Sequence, residues 1–228
     1  MPVFQLPDLL LFPPTHLAEP DGLLAVGGDL SPQRLLLAYS SGIFPWFNEG
    51  DPLLWWSPDP RFIIEPRAIH VSRSLDKVIR RNAFTVTVNR AFAAVMMACG
   101  PDREGDTGTW ITEEMLAAYG QLHGLGFAHS VECWQEDELV GGLYGICLGR
   151  CFFGESMFHR RSDASKVALV FLAGLLAKQN FEMIDCQLPT RHLASLGGRS
   201  ISRTEYLSRL HRAGVQPSVV SEPEPFPL

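Results

Sequence analysis

No run in this 228-residue chain is apolar for long enough to cross a bilayer. The longest, Val167–Ala177, is well short of the about 20 residues that a spanning helix needs. Lys and Arg are missing before Arg34, so no secretory leader is expected and a cytoplasmic location is. Cysteine is scarce: there are five, none in a C-x-x-C pair, which points to free thiols in a reducing compartment. The seven histidines show no metal-ligand spacing; His123 and His129 do not share a helix face. Excess positive charge is absent too. The net charge is −6, so any nucleic-acid contact must rest on a local patch. With no G-x-S-x-G and no Walker loop, neither a serine-hydrolase elbow nor a P-loop NTPase is supported. There is no internal repeat.

What is present is organised around Gly141–Gln187. Leu143–Leu148 and Arg150–Phe153 are rich in strand formers, with Gly149 offering a turn between them and Gly154 ending the second run. Ser162 and Asp163 are both candidate N-caps for a helix that is aliphatic or Phe from Val167 to Ala177, apart from Gly174. A helix apolar all round is buried on several sides. Phe181–Cys186 then reads as a buried strand. Strand, helix and strand in this order imply a crossover onto a sheet. Glu155, Asp185 and Gln187 then fall at strand ends, where α/β folds place their ligands.

Residues 1–60 are dense in Pro, Gly and aromatics and read as a small N-terminal α/β domain. Ser31-Pro32 opens a short helix in it. Three of the five tryptophans, Trp46, Trp55 and Trp56, fall within eleven residues. Trp55 and Trp56 read as core. Trp46, after Pro45 and among turn residues, is open to two readings, core or an exposed stacking surface. Residues 61–215 carry strands at Arg61–Glu65, Phe84–Val88, Phe127–Trp134 and Leu139–Leu148. Helices follow Ser72 and Thr112, another runs over Ala91–Cys99, and a last one lies near Arg203–Leu210. On the helix after Ser72, Arg73, Lys77, Arg80 and Arg81 share a face. Residues 61–81 hold six basic and two acidic side chains. This is either a solvated helix face or a patch that follows phosphates. The proline-rich tail, 216–228, reads as disordered.

The predicted fold class is α+β: a mixed sheet with flanking helices, similar to the acetyltransferase (GNAT) fold. That fold grips coenzyme A with a glycine-rich loop at a helix N-terminus. Here the loop is His159–Ala164 and has no glycine, so acetyl-CoA is a poor donor and no cofactor is expected. A more specific resemblance runs from about residue 4 to about 210. It is carried by Gly27-Gly28-Asp29-Leu30-Ser31, Gly42-Ile43-Phe44-Pro45-Trp46, Trp55-Trp56-Ser57-Pro58 and Gly108-Thr109-Trp110-Ile111. Gly154-Glu155-Ser156-Met157-Phe158, Ala164-Ser165-Lys166, Asp185-Cys186-Gln187 and Ala194-Ser195-Leu196-Gly197 continue it. Together these motifs resemble the leucyl/phenylalanyl-tRNA–protein transferase family.

The resemblance implies a cytoplasmic enzyme of the N-degron pathway. It would move Leu or Phe, and Met less well, from aminoacyl-tRNA to the α-amine of proteins with N-terminal Arg or Lys. Trp46 and Trp110 would sandwich the 3′-terminal adenosine; such stacking is worth about 1–3 kcal/mol per base. Leu143, Phe152, Met157, Leu169, Leu176 and Ile184 would line the aminoacyl pocket, though each taken alone reads as core. We expect Gln187 to accept a hydrogen bond from the attacking amine, with Asp185 orienting it. Strand alternation would put residues 185 and 187 on one face and Cys186 in the core. Glu155 is expected either to hold the acceptor's cationic side chain or to brace a loop. Arg73, Lys77, Arg80 and Arg81 would meet tRNA phosphates. No metal and no membrane are expected, and the chain reads as a monomer.

Two other readings compete. A coenzyme A-dependent N-acyltransferase is disfavoured by the missing glycine loop. A non-catalytic RNA-binding module is disfavoured by Asp185 and Gln187 beside an apolar pocket, since stacking needs neither.

Overall fold

The computed structural model describes residues 3–100, 111–217 and 226. The chain opens with strands β1 (Phe4–Gln5) and β2 (Leu23–Val26), helix α1 (Pro32–Ser40), and strands β3 (Phe44–Pro45) and β4 (Leu54–Trp56). These strands form one sheet in the order β1-β2-β4-β3, with β1 parallel to β2 and the other pairs antiparallel. Local chemistry sets where α1 starts: the Ser31 hydroxyl accepts from the Arg34 N–H and Pro32 takes the first turn.

A second sheet is built from β5 (Arg61–Ile64), β6 (Thr85–Val88), β7 (Ala128–Gln135), β8 (Glu138–Leu148), β9 (Cys151–His159), β10 (Met183–Asp185) and β11 (Arg199–Ile201). Its order is β11-β5-β10-β9-β8-β7-β6. Every pair is antiparallel except β9 with β10, which the intervening helix α5 (Ala164–Lys178) joins by the expected crossover. The remaining helices are α2 (Arg73–Arg80), α3 (Phe92–Ala98), α4 (Glu113–Gly124), α6 (Arg191–Ser195) and α7 (Arg203–Arg212). The architecture is mixed α+β.

Side chains alternate across β8 and sort the core into two layers. Leu143 and Cys147 pack with α5 on one face, against which α2 also lies. Tyr144, Ile146 and Leu148 face α3 and α4 on the other. That second layer continues into the four-stranded sheet through Leu24, Tyr39 and Trp55. Ser72 and Thr112 cap α2 and α4 as their side chains predict, accepting from Leu75 and Met115.

Three expectations are corrected. Gly154 does not end its strand: β9 runs on to His159, because Gly154 pairs with Gly145 across a register shift. A Cβ at Gly145 would stand 2.1 Å from the Phe153 carbonyl, so only glycine fits there. The alternation placed on residues 185–187 fails, since β10 stops at Asp185 and Gln187 sits at φ 56, in the left-handed region. At α5 the cap residue is Asp163, but its carboxylate pairs with Lys166 Nζ at 2.7 Å instead of capping a backbone N–H. The expected tail lies outside the described residues apart from Gln216, Pro217 and Phe226, the last of which stacks on His129.

Candidate functional site

The parallel pair β9–β10 is in register from Met183/Cys151 to Asp185/Phe153. Beyond it β9 continues beside β8 alone, while the chain after β10 turns away at Gln187. A cavity of about 580 Å³ opens between them. Leu143, Phe152, Leu169, Leu172 and Ile184 give it apolar walls from β8, β9, α5 and β10. Glu155, Cys186 and Gln187 bring polar groups to it, and Phe44-Pro45-Trp46 closes one side from the four-stranded sheet.

The register shift between β8 and β9 explains how Glu155 arrives there. Tyr144 pairs with Ser156 and Gly145 with Gly154, so Glu155 is the extra residue of a β-bulge. Bulges re-aim side chains next to binding sites. The Tyr119 hydroxyl donates to Glu155 Oε2 at 3.1 Å, and the Tyr39 hydroxyl is hydrogen-bonded to that of Tyr119 in turn. Oε1 has neither solvent contact nor a hydrogen-bond partner among the described residues. Burial pushes the Glu155 carboxyl up to about 7, against the tyrosine hydrogen bonds that favour the ionised form, with the nearby Asp185 charge adding to the rise. Burial and the Glu155 charge together push the Tyr39, Tyr119 and Tyr144 phenols upward.

Asp185 stands one layer behind the cavity and does not line it. It is 0% exposed and gripped by Arg61, Nε to Oδ1 at 2.9 Å and Nη2 to Oδ2 at 2.7 Å. The Tyr206 hydroxyl donates to Oδ2 at 2.8 Å, and the Gln187 N–H donates to Oδ1 at 3.0 Å. The Gln187 carbonyl accepts from the Phe62 N–H at 3.1 Å. The main chain of Gln187 is thus fixed on both sides, while its Nε2 is buried with no partner among the described residues. Cys186 is partly buried against the core on the α5 side, as alternation would have it, and also lines the cavity. Burial first, then the Asp185 charge, push it upward, so it is held as a thiol. Among the described residues no group of His, Cys, Asp and Glu is arranged to hold a metal.

The family profile for leucyl/phenylalanyl-tRNA protein transferase matches residues 63–211, and that for its N-terminal domain matches residues 28–59. The chain belongs to the leucyl/phenylalanyl-tRNA–protein transferase family. Relatives of that name are closely similar. The one from Syntrophotalea carbinolica is 57% identical, covering 100% of this chain and 99% of its own. The one from Syntrophobacter fumaroxidans is 59% identical over 92% of this chain and 90% of its own. In Nitrosospira multiformis the identity is 60%, over 88% and 87%. Among solved structures, L-PGS from Bacillus licheniformis shares 13% identity at a TM-score of 0.37, covering 75% of this chain and 57% of that one. The enzyme is therefore an aminoacyltransferase of this family.

Within this transferase, Trp46, Glu155, Gln187, Leu143, Phe152, Met157, Leu169 and Ile184 come together at one cavity. Leu176 does not reach it; it is fully buried one turn of α5 beyond Leu172, which lines the wall in its stead. Trp46 is 42% exposed at the rim and tilts at 55° against Trp56, whose indole N–H donates to the Trp46 carbonyl. Trp55 is core, as expected, and Trp56 only half-buried. Trp110 lies outside the described residues. Arg73, Lys77, Arg80 and Arg81 are exposed on and just after α2. Sequence reasoning misses Tyr39, Tyr119, Arg61 and Tyr206. For Tyr39, Tyr119 and Arg61 the one sequence signal is a phenol or a cation beside an apolar run, which burial obliges to find a partner; Tyr206 sits in a polar stretch and carries none.

Proposed function

We propose that this enzyme transfers Leu or Phe, and Met less well, from aminoacyl-tRNA to the α-amine of proteins beginning with Arg or Lys, marking them for N-degron degradation. The observation that carries the reading is the cavity: apolar walls on three strands and α5, polar groups from Glu155 and Gln187, and an exposed indole at the rim. The aminoacyl side chain would fill the apolar part, where burial contributes about 1.5–3 kcal/mol. A missing methylene costs only about 1–3 kcal/mol, which is why Met is still admitted. Trp46 would stack on the terminal adenosine, with Trp110 as its partner face. Glu155 would hold the acceptor's cationic side chain.

In the reaction the acceptor's neutral α-amine attacks the ester carbonyl carbon. The C–N bond forms, the bond from that carbon to the ribose oxygen breaks, and the amine's proton ends on that oxygen. The donor is already activated, so positioning supplies much of the rate. The Gln187 side-chain oxygen would accept from the amine, and its Nε2 would donate to the developing oxyanion. Asp185 acts at one remove, by anchoring the Gln187 N–H. A carboxylate touching the amine directly would favour the unreactive ammonium.

The same reading takes residues 1–60 as an N-terminal domain and residues 61–215 as a GNAT-like catalytic domain. It takes the protein as a cytoplasmic monomer whose α2 cations meet tRNA phosphates. Among the described residues no helix is long and apolar enough to cross a membrane. The test is turnover of labelled Leu-tRNA with a peptide bearing N-terminal Arg. Product formation that vanishes with an N-terminal Asp peptide supports the reading; acetyl-CoA consumption in its place would reject it.

A further inference from the structure

We propose that the Tyr39–Tyr119 pair decides how the acceptor's cation is read. By occupying Oε2 of Glu155, it leaves Oε1 as the one carboxylate oxygen for the incoming side chain. Lys and Arg are then recognised through a single charge-assisted hydrogen bond. This rests on the acceptor-binding role proposed for Glu155.

Four observations carry it. Glu155 is the bulged residue of β9 and one of the residues that line the cavity. Its Oε2 already accepts from the Tyr119 hydroxyl at 3.1 Å. That hydroxyl is itself hydrogen-bonded to Tyr39, and both tyrosines are 0% exposed, so neither can swing away into solvent. Oε1 is buried with no donor among the described residues, so a small turn of the carboxylate toward the cavity is what brings it to an incoming cation. An unsatisfied buried carboxylate oxygen is costly, and a cation reaching it recovers that cost.

The stereochemistry follows from what each cation needs. A guanidinium gains most from a carboxylate when two parallel N–H groups meet both oxygens. An ammonium is a point charge with rotatable donors and is satisfied by one. With Oε2 committed, arginine's fork has nothing to close on and its advantage over lysine is removed. Tyr39 belongs to α1, in the same lobe as Phe44-Pro45-Trp46, while Tyr119 belongs to α4. Acceptor selection is therefore set where the lobe that carries the rim indole meets the second sheet.

The experiment compares kcat/KM for Leu transfer to two peptides that differ only in an N-terminal Arg or Lys, at saturating Leu-tRNA. The wild type should use them comparably. Tyr39→Phe/Tyr119→Phe should raise the Arg-to-Lys ratio about tenfold, carried by KM, the weight of one more charge-assisted hydrogen bond. Tyr39→Phe alone keeps the Tyr119 bond but loses the Tyr39 contribution to Glu155, so it should raise the ratio less than the double variant. Because the ratio is internal to each enzyme, partial misfolding lowers both peptides alike and leaves it unmoved. If the double variant does not fold, Tyr119→Phe is read instead, with a smaller rise because the Tyr39 hydroxyl can take over part of the contact. An unchanged ratio in the folded variant, or a wild type that already strongly prefers Arg, overturns the proposal. Glu155→Gln separates the two layers. If it leaves KM for both peptides unaltered, the acceptor role of Glu155 fails; if it weakens both while the tyrosine variants do nothing, only the tyrosine inference fails.

Discussion

Arg61 holds Asp185 by both carboxylate oxygens, and its guanidinium lies between the rings of Phe44 and Tyr206, 4.7 Å from each centroid. The pair is fully buried, and it links three parts of the site. Phe44 lines the cavity, Tyr206 is on α7, and Asp185 Oδ1 also takes the Gln187 N–H. Removing one partner would leave a buried charge with no counter-ion, which typically costs about 3–5 kcal/mol. Asp185→Ala should therefore lower the unfolding free energy by about that amount in urea titration. Arg61→Lys keeps the charge but loses the fork, so its loss should be smaller, about 1–3 kcal/mol. A stability change under about 1 kcal/mol for Asp185→Ala would mean that the pair does not hold the site together.

What was legible in the sequence was local. Ser31, Ser72 and Thr112 mark helix starts through bonds three residues long, and each forms. The crossover from β9 through α5 to β10 follows from hydrophobic runs alone. What was not legible depends on partners far along the chain. Arg61 and Asp185 are 124 residues apart, Tyr39 and Tyr119 80, and no periodicity links them. Gly154 looks like a strand breaker because nothing in its own neighbourhood reveals Gly145 opposite. The same blindness hid the bulge that turns Glu155 into the cavity. Gln187 reaches the cavity by a different route from strand alternation, which ends at Asp185. A left-handed turn held by Asp185 and Phe62 brings it there.

Gln187→Ala should slow single-turnover peptide formation by about 10²-fold at saturating Leu-tRNA, the usual weight of one donor aimed at a developing oxyanion. Leu-tRNA binding should hardly change, because the apolar walls and Trp46 are untouched. Gln187→Glu removes the N–H donor and places a charge beside the amine, and should be no better than the alanine variant. A single-turnover rate equal to wild type in Gln187→Ala would remove the residue from the chemistry.

Glu155 gives two pH effects of opposite sense. Its carboxyl is raised from 4.5 to about 7, so it is ionised above that pH and neutral below. An acceptor cation needs the ionised form, so binding should tighten from pH 6 to pH 8 and level off there. A peptide whose first residue is desamino-arginine keeps the guanidinium and has no α-amine, so calorimetry with it isolates this group. Stability runs the other way. The folded protein holds the proton more firmly than the unfolded chain, so this contribution is complete below pH 4.5 and is lost as pH rises through 7, by about 3 kcal/mol at most. Glu155→Gln should abolish both dependences and be the more stable protein at pH 8, read from Tm against pH.

The size of the recess sets which aminoacyl groups enter. Leu172, on the α5 wall, is 0% exposed and its removal would enlarge the cavity. Leu172→Ala should cost about 2–5 kcal/mol of stability and shift preference toward Phe-tRNA over Leu-tRNA. Leu169→Phe fills the same space and should do the reverse, losing Phe transfer before Leu transfer. Leu176→Ala is the control: it removes equally buried methyl groups outside the lining, so stability should fall with the Leu-to-Phe ratio unchanged.

The α2 cations make the last prediction one about salt. Arg73, Lys77, Arg80 and Arg81 are exposed while Leu75 is buried against the core, so the helix presents its charge outward. If this face follows tRNA phosphates, each cation that meets one releases condensed counter-ions. Deleting such a cation should then flatten the plot of log affinity against log salt by about 0.7–0.9. Arg80→Ala/Arg81→Ala should therefore weaken Leu-tRNA binding most at low salt and reduce the slope by about one to two. Arg80 Nε is paired with Asp76 Oδ2 at 2.8 Å, so part of its charge is already neutralised. Asp76→Ala should tighten tRNA binding and steepen the slope, in the opposite direction to the arginine variant, while leaving the acceptor KM alone. A patch that merely solvates the helix would show neither change, because exposed ion pairs of this kind contribute little to the fold itself.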